Sequence, residues 1–249
     1  MPSLQELREY TDNFLEIDKF KDYAPNGLQV QGKPQIKKIV TGVTASKALI
    51  EAAIEKQADA ILVHHGWFWK NEDPRIIGMK HARLKLLMQH DISMLGYHLP
   101  LDAHPIVGNN ALLAKLFGFN AEAVMDEQGV GNIGTIDTPV TLTQLGKTIE
   151  NVLHRKPLLI NAGRHKIKRV AWCSGGAQSW MDKAVAAGVD AFISGEISEN
   201  TVHTARESGV HYIAAGHHAT ERYGIMALGE HLAAEFKLEC EFVDIDNPA

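Results

Sequence analysis

The stretch Lys38-Ile39-Val40-Thr41-Gly42-Val43, followed by a helical segment from Ser46 through Lys56 and then by Ala60-Ile61-Leu62-Val63 ending at His64, reads as a β-α-β unit. Its strands are apolar without alternation, as strands of a parallel sheet are when both faces are covered. The pattern returns 131 residues later, with Val170 answering Ile39 and Asp190 answering Asp59. There Arg169-Val170-Ala171-Trp172-Cys173 is a strand, Gln178 to Ala187 a helix, and Val189-Asp190-Ala191-Phe192-Ile193-Ser194 a strand. A third strand continues both copies, Ile92 to His98 aligning with His211 to His217 at an offset of 119. Self-similarity of this kind marks a duplicated unit. The expected fold is α/β, two similar lobes with largely parallel or mixed sheets, over residues 1–125 and 126–249. No low-complexity linker separates them, so a packed interface is expected, with a functional site in the cleft between the lobes.

Around the repeat, an amphipathic helix is expected from about Ser3 to Leu15, a turn at Asp22-Tyr23-Ala24-Pro25-Asn26-Gly27, and a strand at Leu28-Gln29-Val30. The segment from Asn120 to Lys166 is the hardest to read. Gly129 to Gly134, Thr138-Pro139-Val140 and Lys156-Pro157-Leu158-Leu159-Ile160 suggest loops and short strands, about a helix from Leu142 to Leu153 capped by Thr141 or Thr143.

Composition narrows the function. The 249 residues are 45% hydrophobic, enough for a large core, and carry a formal net charge of −5 with a pI near 6.2. Without long Lys/Arg runs, neither non-specific nucleic-acid binding nor an anionic membrane surface is indicated, whereas a nucleotide substrate is compatible. The N-terminus has no signal-peptide pattern and no apolar window approaches the roughly 20 residues of a membrane span, so a soluble, cytoplasmic protein is expected. Two cysteines, Cys173 and Cys240, are too few for a disulfide framework and are expected as buried thiols.

The chemistry lies in Val63-His64-His65-Gly66 and Gly216-His217-His218-Ala219-Thr220-Glu221. Thirteen histidines give about one adjacent pair by chance, so the doublets matter only through their setting at strand ends, where open α/β sheets build their sites. His64 and His65 would point to opposite faces of an ideal strand and can address one site only if the chain turns at Gly66. His217 and Glu221, four apart, share a face if a helix starts after Gly216. Asp102 follows Pro100, which turns the chain out of the sheet and can aim the carboxylate back over the strand ends. Each has a plainer reading: a core histidine beside a surface one, a surface His-Glu pair, a turn cap. Together, His64, His65, Asp102, His217 and Glu221 exceed the three protein ligands of one catalytic zinc and suit two ions sharing a bridging carboxylate, either Glu221 or Asp102. Nitrogen and oxygen donors without thiolate favour Zn, Mn, Fe, Co or Ni.

Four strings, Asp22 to Val30, Val63 to Gly66, His98-Leu99-Pro100-Leu101-Asp102 and Gly216 to Glu221, in this order resemble the NIF-three-like dinuclear-metal proteins, described by homology as type 2 GTP cyclohydrolase-like. The resemblance spans essentially the whole chain and is closest to the short bacterial members. It implies that His64, His65, Asp102, His217 and Glu221 bind two divalent metal ions per subunit, with Glu221 bridging. It also implies a two-lobed α/β subunit in a toroidal homohexamer whose metal sites face an inner cavity.

Two adjacent ions lower the pKa of bound water and hold a substrate oxygen, so a metal-dependent hydrolase is the first reading. The resemblance adds a reaction, hydroxide attack at C8 of the guanine ring of GTP with release of formate, and makes His98 the candidate catalytic proton shuttle. His98 has the alternative of packing or bonding to a carboxylate. Lys70 and Arg222 are either phosphate contacts or surface charges. Trp67, Phe68 and Trp69 offer a stacking surface for a base or a subunit interface. Ser174-Gly175-Gly176 lacks the Lys-Ser/Thr ending of a phosphate loop and reads as a tight turn. Two further classes are a non-catalytic metal-handling or regulatory protein, and a dinuclear phosphoesterase or amidohydrolase with another substrate.

Overall fold

The computed structural model describes residues 1–249 and divides them into two compact units, Met1–Leu101 with Gly224–Asp246, and Asp102–Tyr223 with Asn247–Ala249. Residue 125, the boundary expected from the sequence, falls inside the second unit, and Gly224–Asp246 returns to the first. Each unit is built on one sheet that mixes parallel and antiparallel strands.

The first unit contains α1 (Leu4–Phe14), β1 (Gly27–Val30), β2 (Lys38–Thr44), α2 (Lys47–Glu55), β3 (Ala60–His65), α3 (Gly78–Gln89) and β4 (Ser93–Gly96). Its sheet runs β1-β4-β3-β2 and is closed by the chain's last strand, Glu239–Phe242. β2, β3 and β4 are parallel, β1 is antiparallel at the edge, and the last strand adds parallel to β2. Val40, Ile61 and Val63 are buried against Leu49, Ile50 and Leu87 of the flanking helices, which is why these strands read as uninterrupted apolar runs. α1 starts with a capping box: the Glu6 amide donates to Ser3 Oγ at 3.1 Å, and the Ser3 amide to the Glu6 carboxylate at 2.7 Å.

The second unit contains α4 (Leu99–Ala103, which straddles the division), α5 (Asn109–Phe117), β5 (Phe119–Val124), β6 (Asn132–Val140), α6 (Leu142–Leu153), β7 (Leu158–Ile160) and β8 (Ile167–Trp172). It continues with α7 (Met181–Ala186), β9 (Ala191–Ser194), α8 (Glu199–Ser208), β10 (His211–Ala214) and the start of α9 (His217–Phe236); Glu239–Phe242 is β11. The sheet order is β5-β6-β8-β9-β10-β7, with β8, β9 and β10 parallel and the others antiparallel. The hard-to-read middle of the sequence is thus the β5-β6 hairpin, α6 and the edge strand β7. Thr141, not Thr143, caps α6, in a second capping box with Gln144.

The duplication is written into the backbone pairing. Ile39 faces Ala60 between β2 and β3, and Val170 faces Ala191 between β8 and β9, the same register 131 residues apart. Asp59 Oδ2 accepts the amides of Lys37 and Lys38 at 2.9 and 3.1 Å, and Asp190 Oδ2 accepts those of Lys168 and Arg169, both at 2.8 Å. The third strand corrects the sequence alignment. Ala60 pairs with Ser93, and its counterpart Ala191 pairs with His211, an offset of 118. His98 therefore corresponds to Gly216, and His217 lies one residue further on. Both third strands are buried throughout, so no inside–outside alternation was present to fix their register.

Cys173 is buried and Cys240 half-buried, both as free thiols. No helix is long and apolar enough to cross a membrane.

Candidate metal centre

β3 continues through both histidines, and the turn after it makes them neighbours. Gly66 leaves room there for the Gln29 amide: a Cβ at this position would fall 2.3 Å from Gln29 Oε1, which accepts the Trp67 amide at 2.7 Å, and would push that side chain aside. The His64 and His65 rings lie 4.6 Å apart, and His98 stands 5.2 and 5.8 Å from them. One ligand atom from each of the three falls within 4.8 Å of the other two.

The Nδ1 side of every ring is engaged. His64 Nδ1 is 2.9 Å from the Tyr97 carbonyl, which only accepts, so this nitrogen carries the hydrogen and Nε2 becomes the ligating atom. His65 Nδ1 is 3.3 Å from Thr44 Oγ1. His98 Nδ1 is 2.9 Å from Asp22 Oδ1, and the His98 amide donates to Asn26 Oδ1 at 2.8 Å. Burial pushes the Asp22 carboxyl up, but His98, the Asn26 amide and the Ala24 backbone outweigh it and hold the group down at about 2. The Asp22–Gly27 turn therefore clamps His98, a role its sequence did not disclose.

The aromatic run divides its duties. Trp67 is core, with Nε1 donating to the Ala45 carbonyl at 3.0 Å. The Trp69 and Tyr23 rings each meet His98 edge-on at 5.0 Å, and within the Trp67-Phe68-Trp69 run Phe68 is the exposed member. Lys70 is exposed, its amide donating to the Tyr23 carbonyl at 2.7 Å.

In the second unit, Asp102 is buried in the short helix α4, where Pro100 is accommodated within the first turn. Its Oδ1 accepts Asn109 Nδ2 at 2.9 Å and Ser174 Oγ at 2.8 Å. His217 and buried Glu221 occupy successive turns of α9, with Nε2 and Oε2 3.1 Å apart. A Glu221 oxygen lies within 4.8 Å of one from Asp102. Behind His217, Glu196 Oε1 stands 2.6 Å from Nδ1. Burial lowers the His217 imidazole, yet the hydrogen bonds and charges of Glu221 and then Glu196 prevail and raise it to about 9. Glu196 was overlooked in the sequence, although it stands 131 residues after His65 at the equivalent strand end.

Gly175 belongs to this cluster. Its φ is +62°, and a Cβ would sit 2.1 Å from Glu221 Oε1 and 3.0 Å from His217 Nε2. The tight turn read at Ser174-Gly175-Gly176 thus also keeps space beside two donors. His218 joins no donor cluster. Arg222 Nη2 donates to the Leu153 carbonyl at 2.7 Å, placing its charge at the C-terminal end of α6.

Both donor sets fit a divalent cation: imidazoles oriented through Nδ1, and carboxylates held by neutral donors or set close to one another. Thiolate takes no part. Burial, with the charges of Asp102 and Glu221, pushes the Cys173 thiol well above its ordinary value.

A family model described as Duf34/NIF3 (NGG1p interacting factor 3) matches residues 2–248. The chain is 56% identical to the GTP cyclohydrolase 1 type 2 homolog of Pasteurella multocida over 98% of each sequence. It is 51% identical to the protein of the same name from Pseudomonas aeruginosa over 99% of each. A solved structure of protein ybgI, of unknown function, superposes with a TM-score of 0.97 at 51% identity, covering 100% of both chains.

Proposed function

The chain belongs to the Duf34/NIF3 family, and on that footing we propose that it is a divalent-metal-dependent hydrolase in which His64, His65, Asp102, His217 and Glu221 hold two ions. Bound metal would supply an acidified water and polarise a substrate oxygen. Glu221, buried and close to both His217 and Asp102, is the bridging carboxylate of this proposal.

The observation that carries a catalytic reading is the Asp22–His98 pair. A carboxylate held ionised at Nδ1 fixes the tautomer, so Nε2 can take a proton from an attacking water and return it to a leaving nitrogen. A carboxylate at Nδ1 also orients a ligating imidazole, so turnover measured together with metal content separates the two roles. The relatives' name, GTP cyclohydrolase 1 type 2 homolog, makes GTP the first substrate to assay, and the ring opening at C8 with formate release implied by the family resemblance is the reaction to look for.

The test is formate release from GTP, with a panel of phosphoesters and cyclic amides, by protein reconstituted with Zn, Mn, Fe, Co or Ni. Turnover that Asp22→Asn and His98→Ala abolish without loss of metal supports the proposal. Absence of turnover with every metal, together with freely exchanging ions, would replace it with a metal-handling role. Glu221→Ala should lower metal content to one ion or none per chain, and two undiminished ions would sink the bridging assignment. Light scattering tests the toroidal homohexamer implied by the family resemblance.

A further inference from the structure

We propose that the first unit carries a separate binding site for a small amphiphilic anion, in the cavity flanked by the edge strand β1 and helix α3. The cavity measures about 660 Å³, within the roughly 300–1,000 Å³ usual for small-molecule pockets. Its walls are mainly apolar, formed by Val30, Phe68, Ile76, Leu84 and Met88. Val30 and Leu84 are buried, whereas Phe68, Ile76 and Met88 keep 38%, 54% and 67% of their surface exposed, so the mouth is ringed by large apolar side chains. Isolated apolar residues on a surface need no explanation, but several converging on one concavity do.

The charged side chains that line the cavity have one sign, and the nearby Glu72 carboxylate is neutralised by Lys80. His81 and Lys85, one turn apart on α3, line it together with three glutamines, and no Asp or Glu does. Neighbouring Lys80 is already committed, to Glu72 at 2.9 Å and to the Asp73 carbonyl at 2.8 Å, so Lys85 is the ammonium that the pocket presents. An apolar wall with a cationic rim favours a carboxylate or sulfonate attached to a hydrocarbon or aromatic body, and disfavours a cation of the same shape. Phe68 adds a second observation. Its φ of +64° lies in the left-handed region, a conformation costing a bulky residue about 1 kcal/mol or more, and such strain collects at ligand sites.

The pocket carries its own reporter. Gln29 lines it and also accepts the Trp67 amide, so occupancy is felt beside Trp67 and Trp69. None of this depends on the metal proposal, because no metal-ligating residue lines the cavity.

Decanoate, kept below its micellar concentration, is the probe for titration of the full chain by tryptophan fluorescence and calorimetry, with decanol and decyltrimethylammonium for comparison. Saturable binding of one decanoate per chain is expected, with decyltrimethylammonium failing to bind. Lys85→Glu should weaken decanoate about tenfold while sparing decanol. Met88→Glu, at an exposed position where folding is not at stake, should weaken both. Absent or non-saturable binding, or equal effects of Lys85→Glu on decanoate and decanol, would overturn the proposal. So would a wild-type chain that ignores decanoate but loses self-association on Met88→Glu, which would make this face an interface between copies.

Discussion

Replacing Glu196 with Gln sets two effects of one carboxylate against each other. In the metal-free chain burial pulls His217 down, while Glu221 and Glu196 raise it to about 9. Near pH 7 almost every molecule therefore carries a proton that a cation must displace, at a cost of about 3 kcal/mol. Apparent metal affinity of the wild type should climb about tenfold per pH unit between roughly 7 and 9 and then level off. Losing the Glu196 charge lowers His217 by about one unit, which eases this competition near pH 7 by about tenfold. Intrinsic affinity moves the other way, since removing a carboxylate behind a ligating imidazole usually costs about 10- to 100-fold. The two effects largely offset near pH 7, where the variant binds at most about tenfold more weakly, and separate near pH 9, where the full loss appears.

The assay is competition for Zn or Co against a chromophoric chelator across that pH range, with the His217 ring titrated by NMR in the metal-free protein. A wild-type affinity independent of pH, or a gap between the two proteins that narrows as pH rises, would refute the reasoning. The same group also sets the stability of the metal-free chain. Because its folded value is raised, its stabilisation of roughly 3 kcal/mol is complete below pH 6.5 and disappears as pH rises through about 9.

Gly175→Ala should destabilise the chain by about 1–3 kcal/mol and weaken metal binding, since its Cβ meets Glu221 at a left-handed φ; an unchanged Tm and metal content would count against the cradle. Asp22→Asn should leave metal content intact and cut any turnover by about 100-fold or more; if instead metal is lost, the pair serves binding rather than proton transfer. Asp22 also predicts acid sensitivity: with its folded value at about 2, its contribution is present above 3.8 and lost as pH falls towards 2, which urea unfolding of wild type and variant would measure. Asp59→Ala and Asp190→Ala each remove an acceptor for two amides and should cost similar amounts, about 1–3 kcal/mol, in thermal unfolding.

What the sequence disclosed depended on whether the relevant geometry is local. The β-α-β units were legible because burial on both faces leaves continuous apolar runs, and His217 with Glu221 because the helical period brings residues four apart together. The partners of the ligand rings were not. Asp22 holds a ring 76 positions away and Glu196 one 21 positions away, and neither contact leaves a spacing that local periodicity can detect. The β5-β6 hairpin escaped for a different reason: β5 is exposed over most of its length, so it lacks the apolar alternation by which an antiparallel strand is recognised.

The corrected register explains why two copies of one frame carry different chemistry. Through the pairing of β2 with β3 and of β8 with β9, His64 corresponds to Gly195 and His65 to Glu196. In the first copy the strand end carries imidazoles. In the second, a Cβ at position 195 would stand 2.7 Å from His217 Cα and 2.6 Å from the Gly175 carbonyl, so a histidine there would exclude the start of α9. The donor has moved to the helix, and the next strand residue, Glu196, orients it through Nδ1. The one-residue slip in the third strand belongs to the same change, because Tyr97 alone separates β4 from His98 whereas Ala215 and Gly216 separate β10 from His217. Restoring a histidine at position 195 would therefore not recreate the first site in the second copy; it would displace the helix that now carries His217 and Glu221.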